Sequence, residues 1–259
     1  MTSRTGNRER ERAGTLSGRV MDKIGRRIVG GIYAAGEVLP PELALCAEFG
    51  LSRTPLREAT KRLHAKGLIS IGPRLGTRVL PTHMWSQLDT DVLMWRFETG
   101  VDKDLIIQVH EMRMAFEPEA CRLAALHGLP EQHAEIREAF ERMAALRQQP
   151  ERVVEPDVAF HAAILTATRN IFMISIGASV SAALQFQFLW GVGRKIFSVE
   201  ELNFHRDIRD SILKRDGDAA AASMRSLILL SKHTFEVALN PQPKSACEGS
   251  PGEHAIKGV

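Results

Sequence analysis

The chain has 259 residues, of which 44% are hydrophobic and 25% charged, the balance of a globular protein with one large or two ordinary domains. No run approaches about 18 apolar residues, and the charged N-terminus lacks an apolar segment, so neither a transmembrane helix nor a signal peptide is predicted. Cys46, Cys121 and Cys247 are too few and too widely spaced for a disulfide framework, which favours a reducing cytoplasm.

The net charge of +3 is distributed unevenly along the chain. Residues 1–81 hold 15 Arg and Lys against seven Asp and Glu, a net charge of +8, whereas the remainder carries a net charge of −5. A basic segment joined to an acidic one indicates that the first meets a polyanion and the second does not. Charge alone is equally consistent with two solvated surfaces and an accidental imbalance.

The N-terminal third predicts three helices and a hairpin. Residues 1–14 are polar and charged, and we expect them to be disordered. Apolar spacing predicts a first helix at about 18–31 and a second, short helix at 41–50. Ser52 is a good N-cap for a third helix over about 53–66. The stretches LISI and TRVLP, on either side of GPRLG, then predict two short strands.

The C-terminal part lacks strand alternation and predicts a helical bundle. A connector, residues 82–100, leads into it. Six helices are predicted, at about 103–127, 131–148, 154–168, 170–190, 199–215 and 217–238. Ser198 and Glu201 form a capping box for the fifth. Long helices with short loops imply an antiparallel bundle over 101–239, and the Pro/Gly/Ser-rich tail 240–259 is expected to be disordered.

Helix, tight turn, helix and hairpin over residues 15–81 are the pattern of a winged helix-turn-helix DNA-binding domain. Arg53 and Arg57 lie near the start of the third helix, where a guanidinium fork can bind guanine or a phosphate. Arg74 in the wing could enter the adjacent minor groove. The candidate DNA contacts are Arg53, Thr54, Arg57, Lys61, Arg74 and Gly76. The alternative, a helix whose basic residues are merely solvated, leaves the turn and the hairpin unexplained.

Asp157 and His161 are four residues apart on one predicted helix, so both side chains project into the same space. A carboxylate and an imidazole at that spacing can share a divalent metal ion. The alternative is that the two side chains hydrogen-bond within a polar pocket.

Two stretches carry a resemblance to a known family. LPPELALCAEFGLSRTPLREATKRLHAKGLISIGPRLGTRV resembles the DNA-binding domain of the GntR family of bacterial regulators. EMRMAFEPEACRLAA, DVAFHAAILTATRN and FHRDIRDSILKRDGDAAAASM resemble the all-helical FCD effector domain of its FadR subgroup, and the connector MWSQLDTDVLMW resembles the branch with the galactonate-operon repressor. The resemblance implies a mainly α protein, in which a winged helix-turn-helix precedes an antiparallel all-helical bundle. It also implies a homodimer on operator DNA.

The resemblance extends to individual site residues. In FCD domains the residues that match Asp157 and His161 are metal ligands, and two later histidines join them. His205 matches the first of these, whereas Leu227 stands at the second and cannot ligate. Three ligands can hold Zn²⁺, Ni²⁺ or Mn²⁺ if water or an effector carboxylate completes the shell. The resemblance thus implies that Asp157, His161 and His205 bind the metal and border the effector.

Arg113 stands at the arginine of the family's effector pocket. There its guanidinium would pair bidentately with a small organic acid, such as an aldonic acid. The alternative is a surface ion pair with Glu117, four residues further on.

These features predict a cytoplasmic, ligand-responsive DNA-binding regulator with no membrane partner. We expect a repressor of a sugar-acid or other carboxylic-acid catabolic operon that its metabolite releases. Two alternatives stay open: a metal-dependent enzyme acting on a small organic acid, and a nonspecific nucleoid-associated protein. The sequence has no P-loop, dinucleotide fingerprint, nucleophile elbow or HExxH motif, which disfavours the enzyme.

Overall fold

The computed structural model describes residues 15–72, 76–100, 103–191 and 198–239. The expected disordered tails, 1–14 and 240–259, and the wing residue Arg74 lie outside these ranges. The described chain is mainly helical, with an N-terminal helix-turn-helix and small β wing followed by an all-helical bundle, which confirms the predicted fold class.

The N-terminal elements are α1 (Leu16–Val29), α2 (Glu42–Phe49), α3 (Arg53–Ala65), β1 (Ile69–Gly72) and β2 (Gly76–Val79). A 3-10 turn at Thr82–Met84 leads to α4 (Thr90–Thr99). The C-terminal helices are α5 (Lys103–His127), α6 (Pro130–Ala145), α7 (Pro150–Ala167), α8 (Ile171–Gly191), α9 (Val199–Leu213) and α10 (Gly217–Leu239). No helix within the described residues is both long enough and apolar enough to cross a bilayer.

The turn between α2 and α3 sets the direction of the third helix. Gly50 ends α2 with a φ of 63°, a left-handed conformation that glycine adopts without a Cβ penalty. Ser52 then occupies the N-cap of α3 in an extended conformation, as predicted, although its hydroxyl makes no capping hydrogen bond. α3 buries Leu56, Ala59 and Leu63 against the N-terminal core and leaves its basic face outward.

The hairpin pairs β1 and β2 in antiparallel register, with Ile69 opposite Val79 and Gly72 opposite Gly76. Ile69 and Val79 are buried in the N-terminal core, whereas Ile71, Gly76 and Arg78 are exposed. The sheet therefore anchors the wing beside α3.

Helix α4 has two buried faces and joins the N-terminal unit to the bundle. Val92 and Trp95 belong to the N-terminal core, whereas Leu93 and Phe97 pack in a cluster with residues of α5 and α8. The Trp95 indole donates a hydrogen bond to Asp22 Oδ1 at 2.7 Å. Gly25 makes room for this ring, because a Cβ at that position would lie 2.5 Å from it.

The bundle packs α10 along α5 and α9, and α7 along α5, α6 and α8. Its core includes Ala120, Phe140, Phe160, Ile164, Met224 and Leu227. The predicted capping box of α9 is present: Ser198 Oγ accepts from the Glu201 amide at 3.1 Å, and the Glu201 carboxylate accepts from the Ser198 amide at 2.5 Å. This packing places α5, α7 and α9 around one interior region.

Candidate functional site

The outer face of α3 presents the predicted DNA contacts. The side chains of Arg53 and Arg57 are 60% and 61% exposed, and Thr54 is also exposed. Lys61, one turn further on, is exposed and pairs with Glu58 at 2.9 Å. The exposed face is therefore the basic one, as a major-groove helix requires. The contacts themselves stay a prediction.

Glu42, at the start of α2, lies against both arginines. Arg57 Nε donates to its two carboxylate oxygens at 3.1 and 3.2 Å, and Arg53 Nε lies 3.7 Å from Oε1. A groove of about 250 Å³ runs beside this cluster between α3 and the hairpin. Glu42, Arg57, Lys61 and Thr77 are among its lining residues. Gly76, with a φ of 73°, begins β2 near Val38.

The second group of predicted site residues lies inside the bundle. One nitrogen or oxygen of each of Asp157, His161 and His205 lies within 4.8 Å of the others. His205 Nε2 is 3.0 Å from Asp157 Oδ1, and His161 Nε2 is 4.0 Å from the same oxygen. All three are at most 3% exposed. The structure thus brings together the residues that helical spacing and family resemblance selected, two from α7 and one from α9.

Arg113 and Glu117 of α5 border this cluster. Arg113 Nε donates to Glu117 Oε1 at 2.6 Å, and Glu117 Oε2 lies 2.5 Å from His161 Nδ1. Both side chains are 2% exposed, so the alternative of a surface ion pair was right about the partner and wrong about the location. A charged pair is held inside because each member neutralises the other there.

Glu117 is the site residue that sequence reasoning missed. A signal existed, because Arg113 and Glu117 continue the buried stripe of α5 that includes Ile106 and Ala120. Residues at these intervals share one helix face. That stripe is otherwise apolar or weakly polar, so two charges within it indicate a buried pair.

The surroundings fix the charge of both carboxylates. Burial, the strongest single influence, opposes ionisation of Glu117, but Arg113 and His161 together lower its pKa to about 2. Burial likewise opposes ionisation of Asp157, but the hydrogen bond with His205 and the charges of His161 and His205 leave its pKa below the usual value. Both groups are therefore ionised at neutral pH.

The hydrogen-bond partners also indicate where each imidazole carries its proton. His205 Nδ1 lies 2.7 Å from the Glu201 carbonyl oxygen, which can only accept, so Nδ1 is the donor. His161 Nδ1 faces the Glu117 carboxylate in the same way, although at an angle poor for a hydrogen bond. In a neutral ring with its proton on Nδ1, the lone pair is on Nε2, toward Asp157, where a cation could share it. Without a cation, only an imidazolium can donate a hydrogen bond from Nε2 to that carboxylate.

The donor set suits a divalent transition metal. Two imidazole nitrogens and a carboxylate are the ligands of open, three-residue sites for ions such as Zn²⁺. Asp157 Oδ2 is enclosed and lacks a hydrogen-bond partner, which a cation would satisfy. Leu227 is buried in the apolar core and supplies no fourth ligand. The residues present therefore fit a metal with one position left for water or a ligand oxygen.

Two family models match the chain, one over the N-terminal unit and one over the bundle. The model of the bacterial regulatory proteins of the gntR family matches residues 16–79, and the FCD domain model matches residues 108–229. An uncharacterized HTH-type transcriptional regulator of Escherichia coli K12, YieP, is 37% identical, over 82% of this chain and 92% of its own. The galactonate operon transcriptional repressor of that organism is 34% identical, over 82% of this chain and 93% of its own.

Solved structures share the fold. Lar, which controls the expression of the Listeria monocytogenes agr system, matches with a TM-score of 0.60 and 20% identity, over 86% of this chain and 98% of its own. E. coli McbR/YncC matches with a TM-score of 0.52 and 15% identity, over 86% and 99% of the two chains. The matched family is one of regulators rather than enzymes, which removes the enzyme alternative. The chain belongs to the GntR family of bacterial DNA-binding transcriptional regulators, and its C-terminal domain is of the FCD type of the FadR subgroup.

Proposed function

We propose that this chain is a cytoplasmic, ligand-responsive repressor of a sugar-acid or other carboxylic-acid catabolic operon, and that its metabolite releases it from DNA. The observation that carries the proposal is Arg113, a guanidinium buried beside a metal-ligand cluster in the regulatory bundle. Buried arginine pairs with carboxylates through planar, bidentate contacts. A relative at 34% identity is a galactonate operon repressor, which supports an aldonic acid as the effector.

The charges of the buried cluster favour a metal and an acid together. Metal ligation requires neutral imidazoles, and with these Arg113 contributes +1 and the Glu117 and Asp157 carboxylates each contribute −1, so the cluster without its ion is net negative. A carboxylate effector alone would add another buried negative charge, which is costly. A divalent ion on Asp157, His161 and His205 reverses the sign, and one carboxylate then makes the cluster neutral. When bound, Zn²⁺, Ni²⁺ or Mn²⁺ would supply positive charge and a coordination position for an effector oxygen.

On the DNA side, we assign the contacts to Arg53, Thr54, Arg57, Lys61, Arg74 and Gly76. The exposure of the basic face of α3 supports this assignment. A homodimer on a two-fold operator would place one α3 in each of two major-groove half-sites. An effector that binds one arrangement of the two N-terminal units better than the other shifts operator affinity, typically by about 1–3 kcal/mol or roughly 5–150-fold.

The test combines ligand binding and footprinting on the full chain. Thermal melts are recorded with a panel of aldonic, hydroxy and keto acids, with the protein either loaded with Zn²⁺ or treated with a chelator. A ligand of the native state at a hundredfold excess over its Kd adds about 2.7 kcal/mol of stability. We expect one class of acid to stabilise the metal-loaded protein and to release a discrete protected site.

Two results would contradict the proposal. If no acid shifts the melting temperature of the metal-loaded protein, the carboxylate effector is excluded. Uniform protection of DNA without a discrete site would instead favour the nucleoid-associated alternative, because binding would then rest on phosphate contacts alone.

A further inference from the structure

Glu117 lies between Arg113 and His161 in the buried site, and each of its two carboxylate oxygens contacts one of them. Oε1 accepts from Arg113 Nε at 2.6 Å, and Oε2 lies 2.5 Å from His161 Nδ1. We propose that Glu117 is a positioning residue of the metal site, which directs His161 Nε2 at the metal and is itself held in place by Arg113. The inference rests on the proposed function, since it presupposes that Asp157, His161 and His205 bind a metal.

The argument begins with the proton of His161. An ionised carboxylate next to Nδ1 favours the tautomer with the proton on that nitrogen, which leaves the lone pair on Nε2. Nε2 is the nitrogen nearer to Asp157, at 4.0 Å from Oδ1. If Glu117 were absent, either tautomer would be available, and the one with a proton on Nε2 cannot ligate through that nitrogen.

His205 shows the same arrangement with a different acceptor. Its Nδ1 donates to the Glu201 carbonyl oxygen at 2.7 Å, so its Nε2 faces Asp157. The two imidazoles thus present the same nitrogen to one carboxylate, each directed from behind by an oxygen. Acceptors that back a ligating histidine in this way orient the ring and increase its basicity. The difference is that the Glu117 acceptor is a charged side chain, which substitution can remove.

Arg113 explains how a second carboxylate can stay ionised in the core. Glu117 and Asp157 are both at most 3% exposed, and two buried carboxylates near one another repel. The guanidinium pairs with Glu117 at Oε1, which leaves Oε2 facing the imidazole of His161. Removal of Glu117 alone would leave the arginine charge unpaired, which confuses loss of stability with loss of positioning.

The test therefore compares a nearly isosteric change at Glu117 with removal of both charges of the pair. In the full-length chain, wild type is compared with Glu117→Gln and with Arg113→Met/Glu117→Met. The affinity for Zn²⁺ alone is measured by competition with a chelator, and the absorption spectrum of the Co²⁺ protein reports the ligand set. We expect Glu117→Gln to bind Zn²⁺ more weakly than wild type, and the double variant to bind about 10–100-fold more weakly than wild type.

Melting temperature and DNA binding show whether each variant is folded. We expect neither quantity to change in parallel with the Zn²⁺ affinity. Equal Zn²⁺ affinity and an unchanged Co²⁺ spectrum across the series would overturn the role of Glu117. If the double variant does not fold, the nearly isosteric Glu117→Gln variant decides, because affinity equal to that of wild type is again the contrary result. A wild-type chain that takes up no Zn²⁺ or Co²⁺ contradicts the proposed metal site itself, which separates the two failures.

Discussion

Two of the predicted DNA contacts, Arg53 and Arg57, are drawn together by Glu42 in the free protein. All three side chains are at least 36% exposed, and an exposed ion pair contributes only about 0–1 kcal/mol. A bidentate contact from arginine to a base contributes more, about 1–3 kcal/mol of discrimination. DNA can therefore replace or share the contact between Glu42 and Arg57 at little cost in free energy. In the absence of DNA, Glu42 fixes the position of Arg57.

The first prediction concerns Arg57. We expect Arg57→Ala to weaken binding to the specific operator by about 1–3 kcal/mol, because it removes a bidentate donor from the outer face of α3. Helicity and acid binding should not change, since the side chain is exposed. The measurement is operator affinity by fluorescence anisotropy at one fixed salt concentration.

Arg206→Ala is the matched control, since Arg206 is also exposed on a helix but lies on α9 of the bundle. It should bind the operator like wild type. Wild-type affinity in Arg57→Ala would remove Arg57 from the interface and place specificity elsewhere on the N-terminal unit.

The second prediction is a pH dependence that arises from His110. Burial, and then the positive charges of Arg113 and Lys232, lower its pKa from 6.5 to about 4, against the opposing Ile106 carbonyl and Glu117. The folded protein therefore binds fewer protons than the unfolded chain between these values, and stability falls as pH drops from 6.5 to 4. Since one pKa unit corresponds to about 1.36 kcal/mol, His110 accounts for a loss of about 3 kcal/mol at most.

Urea unfolding at several pH values checks this, with His110→Gln as the comparison. Glu201 acts in the opposite direction, since burial raises its pKa to about 7 and its contribution is lost as pH rises from 4.5 to 7. The contribution of Glu117 is lost only below pH 4.5, because its pKa is lowered to about 2. The difference between the two proteins therefore isolates His110. A constant difference from pH 4 to 7 would contradict the assignment.

At this scale, sequence reasoning found ligand types better than it found burial. Asp157 and His161 could be paired from their spacing, because that spacing determines which helical side chains meet. Arg113 and Glu117 have the same spacing, yet such a pair is usually on the surface. Their place in the stripe with Ile106 and Ala120 indicates burial but does not show that α7 covers them. The position of Glu117 against His161 depends on contacts between helices, which periodicity does not specify.

Among the elements, α4 differs most from what its sequence suggested. Its apolar residues point to two sides, since Val92 and Trp95 join one core and Leu93 and Phe97 another. A helix buried on two faces lacks a single apolar stripe, so the pattern indicated only a connector with a short helix. Ser179 of α8 also donates to the Leu88 carbonyl at 2.5 Å, which fixes the start of this helix to the bundle.

The third prediction tests the contact between α1 and α4. A Cβ on Gly25 would lie 2.5 Å from the Trp95 ring, so Gly25→Ala must move α4 or displace the indole. Overpacking of this kind costs about 1–3 kcal/mol. Gly177→Ala on α8 is the matched control, because its Cβ would make an ordinary 3.5 Å contact with Leu165.

We expect Gly25→Ala to lower the melting temperature and to change tryptophan fluorescence. Gly177→Ala should be neutral or stabilising by up to about 1 kcal/mol, since alanine is the better helix former. Equal melting temperatures for the two variants would show that α4 can shift freely, and would exclude a tight contact between α1 and α4.

For the whole molecule, periodicity and turn residues predicted the order of the elements and the division into an N-terminal unit and a helical bundle. They did not predict the packing of α10 along both α5 and α9, because an antiparallel bundle of six helices admits several arrangements. The sequence also did not predict how far the N-terminal unit extends, since three residues of the connector, Trp85, Val92 and Trp95, complete its core. These contacts join residues far apart in the chain, such as Asp22 and Trp95.

The last prediction follows from that shared core and compares two fragments, residues 1–81 and 1–100. The shorter lacks Trp85 and Trp95, which are at most 9% exposed in the full chain. Loss of one buried large aromatic side chain typically costs about 3–5 kcal/mol, a large part of the 5–15 kcal/mol that stabilises a domain. We therefore expect fragment 1–81 to melt without a cooperative transition. Fragment 1–100, with Leu93→Gln and Phe97→Gln to replace the face that α5 and α8 normally cover, should melt cooperatively by circular dichroism and bind a single half-site weakly. A cooperative transition at the same temperature in both fragments would show that the N-terminal unit folds without α4, and that α4 belongs to the bundle alone.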